Sequence, residues 1–136
     1  IVRNTPVEVM ETRTPMFFER VEVVSGSGGA GQFRGGHGLR RDIRFLADGE
    51  FLTVMKKTKS RPWSLQGGGQ PMPTRTILFP DTPQERKVGT ARTSVVAGDR
   101  VTILTAGGGG YGDPAKRDSN AVREDQRDGL DVIKSG

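Results

Sequence analysis

Cysteine is absent from these 136 residues, which excludes disulfide staples, thiolate metal sites and a cysteine nucleophile together. Histidine is nearly absent. The single His37 cannot form a catalytic dyad, and no H-x-x-x-H spacing offers a metal two imidazoles. Runs of about eighteen apolar residues are missing too, and the first twenty residues carry Arg3, Glu8, Glu11, Arg13, Glu19 and Arg20. Neither a membrane span nor a signal peptide is expected, and the lack of thiols suits a reducing compartment, so the expectation is cytoplasmic. No G-x-x-x-x-G-K-[ST] phosphate loop occurs. No Ser-His-acid or paired-carboxylate arrangement can be argued from spacing, and Ser64, Ser94, Asp99 and Asp113 suit turns and caps.

What is present is glycine: 20 of them, with 8 prolines and 32% hydrophobic residues, lean but foldable as a single domain. The formal charge of +5 bears on solubility and encounter rather than on any site. The chain opens mid-phrase at Ile1-Val2-Arg3-Asn4-Thr5-Pro6, without an initiator Met, and reads as a fragment.

From Val7 to Val24 β-branched, aromatic and charged residues alternate roughly, interrupted by Pro15, which predicts two strands or one broken edge strand. Leu39, Arg41, Ile43 and Phe45 share one face of the next run, and Glu50 to Met55 make another. Between them Ala47-Asp48-Gly49 predicts a hairpin, because Gly accepts the positive φ of a tight turn. Thr76 to Phe79 and Arg100 to Thr105 are further strands, the latter launched by Ala97-Gly98-Asp99. Only the tail reads as helix: Asp118 or Ser119 as cap, then Ala121 to Arg127, then Gly129 as the left-handed stop. The fold class expected is therefore mainly β.

Three glycine clusters separate these runs: Gly26 to Gly31 with Gly35, Gly36 and Gly38, then Gly67 to Gly69, then Gly107 to Gly112 around Tyr111. Composition alone makes them flexible loops. Gly26, Gly28 and Gly31 satisfy G-x-G-x-x-G after a strand-like run, but Gln32-Phe33-Arg34-Gly35-Gly36 is a poor helix start, so the dinucleotide fingerprint lacks its context. His37, between glycines, titrates near neutrality, yet a backbone-bonded or solvent-facing role suits it better than metal ligation. Lys56, Lys57, Lys59 and Arg61 precede Pro62-Trp63, a cation and aromatic combination that RNA also uses. The blander alternative is a solvated strand end, and with one Trp and one Tyr no second stacking platform is in sight. His37, Arg61 and Trp63 are selected as positions near a ligand or interface.

Several phrases taken together resemble the C-terminal portion of the hydantoinase B/oxoprolinase family: Asn4-Thr5-Pro6-Val7-Glu8, Ser27 to Gly36, Arg61-Pro62-Trp63-Ser64-Leu65 followed by Gly67-Gly68, and Thr105 to Pro114. Ser64 stands where that family's pattern has Gly. The resemblance implies a B-type subunit of an ATP-dependent enzyme that opens cyclic amides such as hydantoins, 5-oxoproline or lactams. The related ketone carboxylases are the alternative, and a basic RNA-binding module is a third. It implies an ATP-binding A-type partner subunit that phosphorylates an amide or enol oxygen, a small-molecule substrate, and a divalent metal held by the upstream part of the subunit. No metal, cofactor or catalytic residue is assigned to this chain, and neither a membrane nor nucleic acid is an expected partner.

For the fold, the resemblance implies barrel-like antiparallel sheets with polyproline II-like glycine segments packed side by side, where only a missing side chain permits the approach. The packing positions are Gly28, Gly29, Gly31, Gly35, Gly36, Gly107, Gly108, Gly109, Gly110, Tyr111 and Gly112. The expected division is a β-rich region over 1–114 and a helical tail over 115–136.

Overall fold

In the computed structural model, residues 4–130 are described, so Ile1 to Arg3 and the end of the tail, 131–136, lie outside the described residues. The first element corrects the sequence reading. Val7–Arg13 is a helix, α1, although strands were expected from Val7. Glu8, Met10, Glu11 and Arg13 are good helix formers, and the Met10 N–H donates to the Pro6 carbonyl at 3.1 Å. The helix stops at Thr14, which is extended (φ −137, ψ 149) because the ring of Pro15 disfavours helical backbone just before it.

Seven strands follow: β1 Met16–Val23, β2 Leu39–Phe45, β3 Gly49–Thr53, β4 Arg75–Leu78, β5 Arg86–Val88, β6 Ala91–Val95 and β7 Arg100–Leu104. A five-stranded antiparallel sheet has the order β1-β2-β7-β4-β5, and β3 pairs with β6 as a separate two-stranded sheet. The expected hairpin between β2 and β3 does not form. Both edges of β2 are taken, by β1 (Ile43 opposite Phe18) and by β7 (Ile43 opposite Val101), so no ladder position is left for β3. Asp48 and Gly49 instead redirect the chain into the second sheet, where the Asp48 carboxylate accepts the Ala97 N–H at 2.9 Å.

The sheets do not close into a barrel, because β1 and β5 remain as free edges. Register along β1 slips at Glu19, between Phe18 and Arg20. The freed Glu19 carboxylate takes Arg44 and Arg100 at 3.0 and 2.8 Å. The core lies between the two sheets: Ile43, Phe45, Leu78, Val95 and Val101 are buried, with Phe18, Phe51 and Ile103 packed against them. Phe45 and Phe51 bring the two sheets together at a ring separation of 5.6 Å. Each fully buried aliphatic or aromatic side chain contributes about 1.5–3 kcal/mol.

The tail forms the expected helix, α2 Ser119–Arg127, capped by the Asp118 carboxylate, which accepts the Asn120 N–H. Gly129 follows with φ +68. Among the described residues no helix is long and apolar enough to cross a membrane.

Candidate functional site

The three glycine clusters come together as one hydrogen-bonded layer. Residues 107–112 run between the first cluster on one side and 63–69 on the other. Toward the first cluster, the Gly29 N–H donates to the Gly108 carbonyl at 2.9 Å, and the Gly108 N–H to the Gly36 carbonyl at 2.8 Å. Phe33 and Tyr111 exchange both backbone bonds, at 3.0 and 2.9 Å. On the other side the Leu65 N–H donates to Gly110, and the Gly112 N–H returns to Leu65. Gly69 ties the outer clusters together: its N–H donates to Ala30 and its carbonyl accepts from Gly110. These segments satisfy their polar groups through neighbours rather than internally.

That closeness is what the missing side chains permit. A Cβ on Gly109 would overlap the Trp63 carbonyl, one on Gly110 the Ala30 carbonyl, and one on Gly35 the Gly108 carbonyl. Gly28, Gly29, Gly31, Gly68 and Gly107 are blocked by backbone in the same way, at separations below 3.0 Å. Two expected packing positions are roomier. Gly36 would meet nothing within 4 Å, and Gly108 would meet nothing closer than the Gly36 nitrogen at 3.1 Å. Gly112 is needed for its φ of +76. No helix begins within 26–38, so the G-x-G-x-x-G pattern serves the layer and does not open a dinucleotide turn.

His37 is held at both ring nitrogens. Nδ1 accepts the Gly28 N–H at 3.1 Å, so the proton sits on Nε2, which donates to the Leu130 carbonyl at 3.2 Å. Burial, reinforced by the Arg34 guanidinium, lowers its pKa, and the ring is neutral when engaged. Beside it the Asp125 carboxylate of α2 bridges Arg34 (2.8 Å) and Arg117 (2.7 Å). Its side chain is only 12% exposed, and Arg34 above all holds its pKa below the usual carboxylate range. The tail is thereby pinned to the first glycine cluster. Arg34 and Asp125 are 91 residues apart, and nothing local in the sequence announces their pairing.

Arg61 and Trp63 lie elsewhere, and His37 does not join them. A cleft of about 430 Å³ is lined by Lys57, Pro62, Trp63, Ser64, Leu65 and Tyr111 together with Gly109 and Gly110. Neither His37 nor Arg61 is among its walls. The Lys57 ammonium sits 5.4 Å from the Trp63 ring centroid, a cation–π contact. Lys57 and Gln66, which bracket the Pro-Trp segment, both adopt positive φ (60 and 52), a conformation non-glycine residues seldom take. Among the described residues no three of His, Asp and Glu come together to hold a metal ion. The donor set a divalent cation needs is therefore not assembled by these residues.

The sequence profile of the hydantoinase B/oxoprolinase family matches residues 1–114. An uncharacterized protein of Methanocaldococcus jannaschii, MJ0963, is 36% identical over 97% of this chain and 23% of its own length. Caprolactamase subunit beta of Pseudomonas jessenii is 30% identical over 91% of this chain and 22% of its own. For the 5-oxoprolinase of Dictyostelium discoideum the figures are 31%, 81% and 9%. The chain thus spans about a quarter or less of the curated relatives it matches.

The crystal structure of the ATP-dependent caprolactamase from Pseudomonas jessenii superposes with a TM-score of 0.75 at 27% identity, over 94% of this chain and 23% of that one. Nucleotide-free acetone carboxylase gives 0.77 at 20% identity, over 95% and 22%, a likeness of fold. With four-fifths of its length matched and the glycine phrases interlocked as one layer, the chain belongs to the hydantoinase B/oxoprolinase family.

Proposed function

We propose that the chain is the C-terminal structural part of the B-type subunit of an ATP-dependent cyclic-amide hydrolase, with residues 1–114 as its β-rich body and 115–136 as its tail. The kinship with caprolactamase subunit beta and 5-oxoprolinase, both at about 30% identity over most of the chain, carries this reading. The remainder of the B-type subunit, where the divalent metal belongs, and an ATP-binding A-type subunit are its partners. A cytoplasmic setting goes with them. Bound on the partner, ATP supplies the phosphoryl group that activates the amide oxygen.

This chain's own residues supply shape. The glycine layer fixes the course of three segments to within hydrogen-bond tolerance, and rigid placement of a surface lowers the ordering cost of whatever docks on it. His37, with both nitrogens engaged, positions the tail, while Arg61 and Trp63 stand at an outward-facing surface.

A coupled assay on the purified complex tests the reading: ATP hydrolysis is expected to depend on a hydantoin, 5-oxoproline or a lactam. Dependence on a ketone plus bicarbonate would instead favour the carboxylase reading, which the acetone carboxylase fold invites. Salt-sensitive oligonucleotide binding that disappears when Lys56, Lys57 and Lys59 are neutralised would favour a nucleic-acid surface.

A further inference from the structure

We infer that the surface formed by Phe33, Trp63, Leu65 and Tyr111 is the seat on which this segment docks against the rest of its own B-type subunit, and that the face it meets is apolar with a rim of carboxylates. The inference rests on the functional reading above and names the contact surface that reading requires.

Four large apolar side chains are exposed together here: Trp63 at 73%, Phe33 at 64%, Leu65 at 56% and Tyr111 at 49%. They are not scattered. Backbone bridges link Tyr111 to Phe33 on one side and to Leu65 on the other, the Phe33 and Tyr111 rings lie 6.2 Å apart, and Trp63, Leu65 and Tyr111 wall one cleft. An exposed patch that joins several large side chains marks an interaction site, whereas single exposed residues do not. Trp and Tyr are also the residues that most often dominate binding energy, when seated at the centre of an interface. Here they project from segments whose backbones are already locked in the glycine layer, so little freedom remains to be lost on docking.

Charge distinguishes this face from the exposed apolar residues of β1. There the Arg44 guanidinium stands 5.3 Å from the Phe17 ring centroid, and Arg44 and Arg100 both pair with Glu19, so each of these cations already has a carboxylate partner within the chain. Lys57 lies against Trp63, and neither it nor Lys56, Lys59 and Arg61, its neighbours in the chain, forms an ion pair among the described residues. Complementary carboxylates on the opposing face would match them. The occupant follows from length: relatives that align with nearly all of this chain carry more than three-quarters of their residues outside the aligned part. A second copy of this chain, equally basic, would set the same cations against one another.

Hydroxyl-radical footprinting read by peptide mass spectrometry tests this on two samples, the 136-residue chain and the intact subunit containing it, with rates normalised to the unfolded peptides. Trp63, Tyr111 and Phe33 are expected to react about ten-fold more slowly in the intact subunit, as water is excluded from an interface core, while Phe17 changes by less than about two-fold. Equal rates at Trp63 and Tyr111 in the two samples would overturn the inference. So would protection already present in the free chain together with a doubled mass on size exclusion, which would make a second copy the occupant. The two claims fail separately: an active subunit with exposed Trp63 defeats the docking surface alone, and a protected Trp63 in a complex without cyclic-amide-dependent ATP hydrolysis defeats the functional reading alone.

Discussion

At the scale of single residues, Gly36 and Gly109 are indistinguishable in the sequence, since each sits in a run of glycines. The structure separates them by what a methyl group would strike. On Gly109 it would overlap the Trp63 carbonyl, and on Gly36 it would point into open space. Backbone cannot step aside as a flexible side chain can, so Gly109→Ala is expected to lower stability by more than about 2 kcal/mol, beyond any propensity effect. Gly36→Ala, whose φ lies outside the left-handed region, is expected to stay within about 0.5 kcal/mol. Thermal melts of both variants beside the parent check this, and equal losses would remove the steric account of the layer. Clustering of glycines was legible in the sequence. Which of them face backbone was not, because the obstructing carbonyls belong to segments up to 80 residues away in the chain.

At the scale of elements, local patterns succeeded where local forces decide and failed where pairing does. Helix α2 was legible from Asp118, Ser119 and Gly129 because capping and a left-handed stop are settled within one turn. The β2–β3 hairpin was misread because Asp48-Gly49 is a turn signal blind to β1 and β7, which claim both edges of β2. Strands β5 and β6 were not foreseen. The docking of α2 was equally hidden, yet it governs an acid response.

His37 has a lowered pKa, chiefly through burial. The fold therefore favours its neutral form, and this contribution is whole above about pH 6.5, the ordinary imidazole value. It is lost as pH falls from there through the lowered folded value. Asp125, lowered chiefly by Arg34, contributes above the ordinary carboxylate range near pH 3.9 and is lost as pH falls through its own lowered value. Protonated His37 cannot accept the Gly28 N–H. Amide exchange in α2, followed with the His37 ring protons, is expected to quicken in two acid steps. In Asp125→Asn, only the imidazole step should remain. A single transition near pH 4 in the parent would show that His37 does not hold the tail.

At the scale of the whole molecule, stability has two sources of different character: a small apolar core between two sheets and a polar backbone layer beside it. The mainly β class was legible from the alternating runs, because a strand's inward face announces itself every second residue. The barrel-like sheets expected stay open, since closure depends on which strand meets which. In this fold β5, three residues long, ends the sheet.

Five buried hydrophobic residues make up the centre of the core, so each is a large share of it. Leu78 is 1% exposed and stands opposite Val101, also fully buried. Leu78→Ala truncates a buried member of this cluster and is expected to cost about 2–5 kcal/mol. A single domain typically holds only about 5–15 kcal/mol in all, so the variant should sit near the edge of folding at 37 °C. Leu52, on β3 and largely exposed, is the control, and Leu52→Ala is expected to stay within about 0.5 kcal/mol. Urea titration followed by Trp63 fluorescence and by circular dichroism measures both. If the core and the glycine layer form one cooperative unit, the two probes shift together in Leu78→Ala, with the denaturant slope unchanged. Separation of the Trp63 transition from the loss of strand signal would show that the layer folds independently of the core.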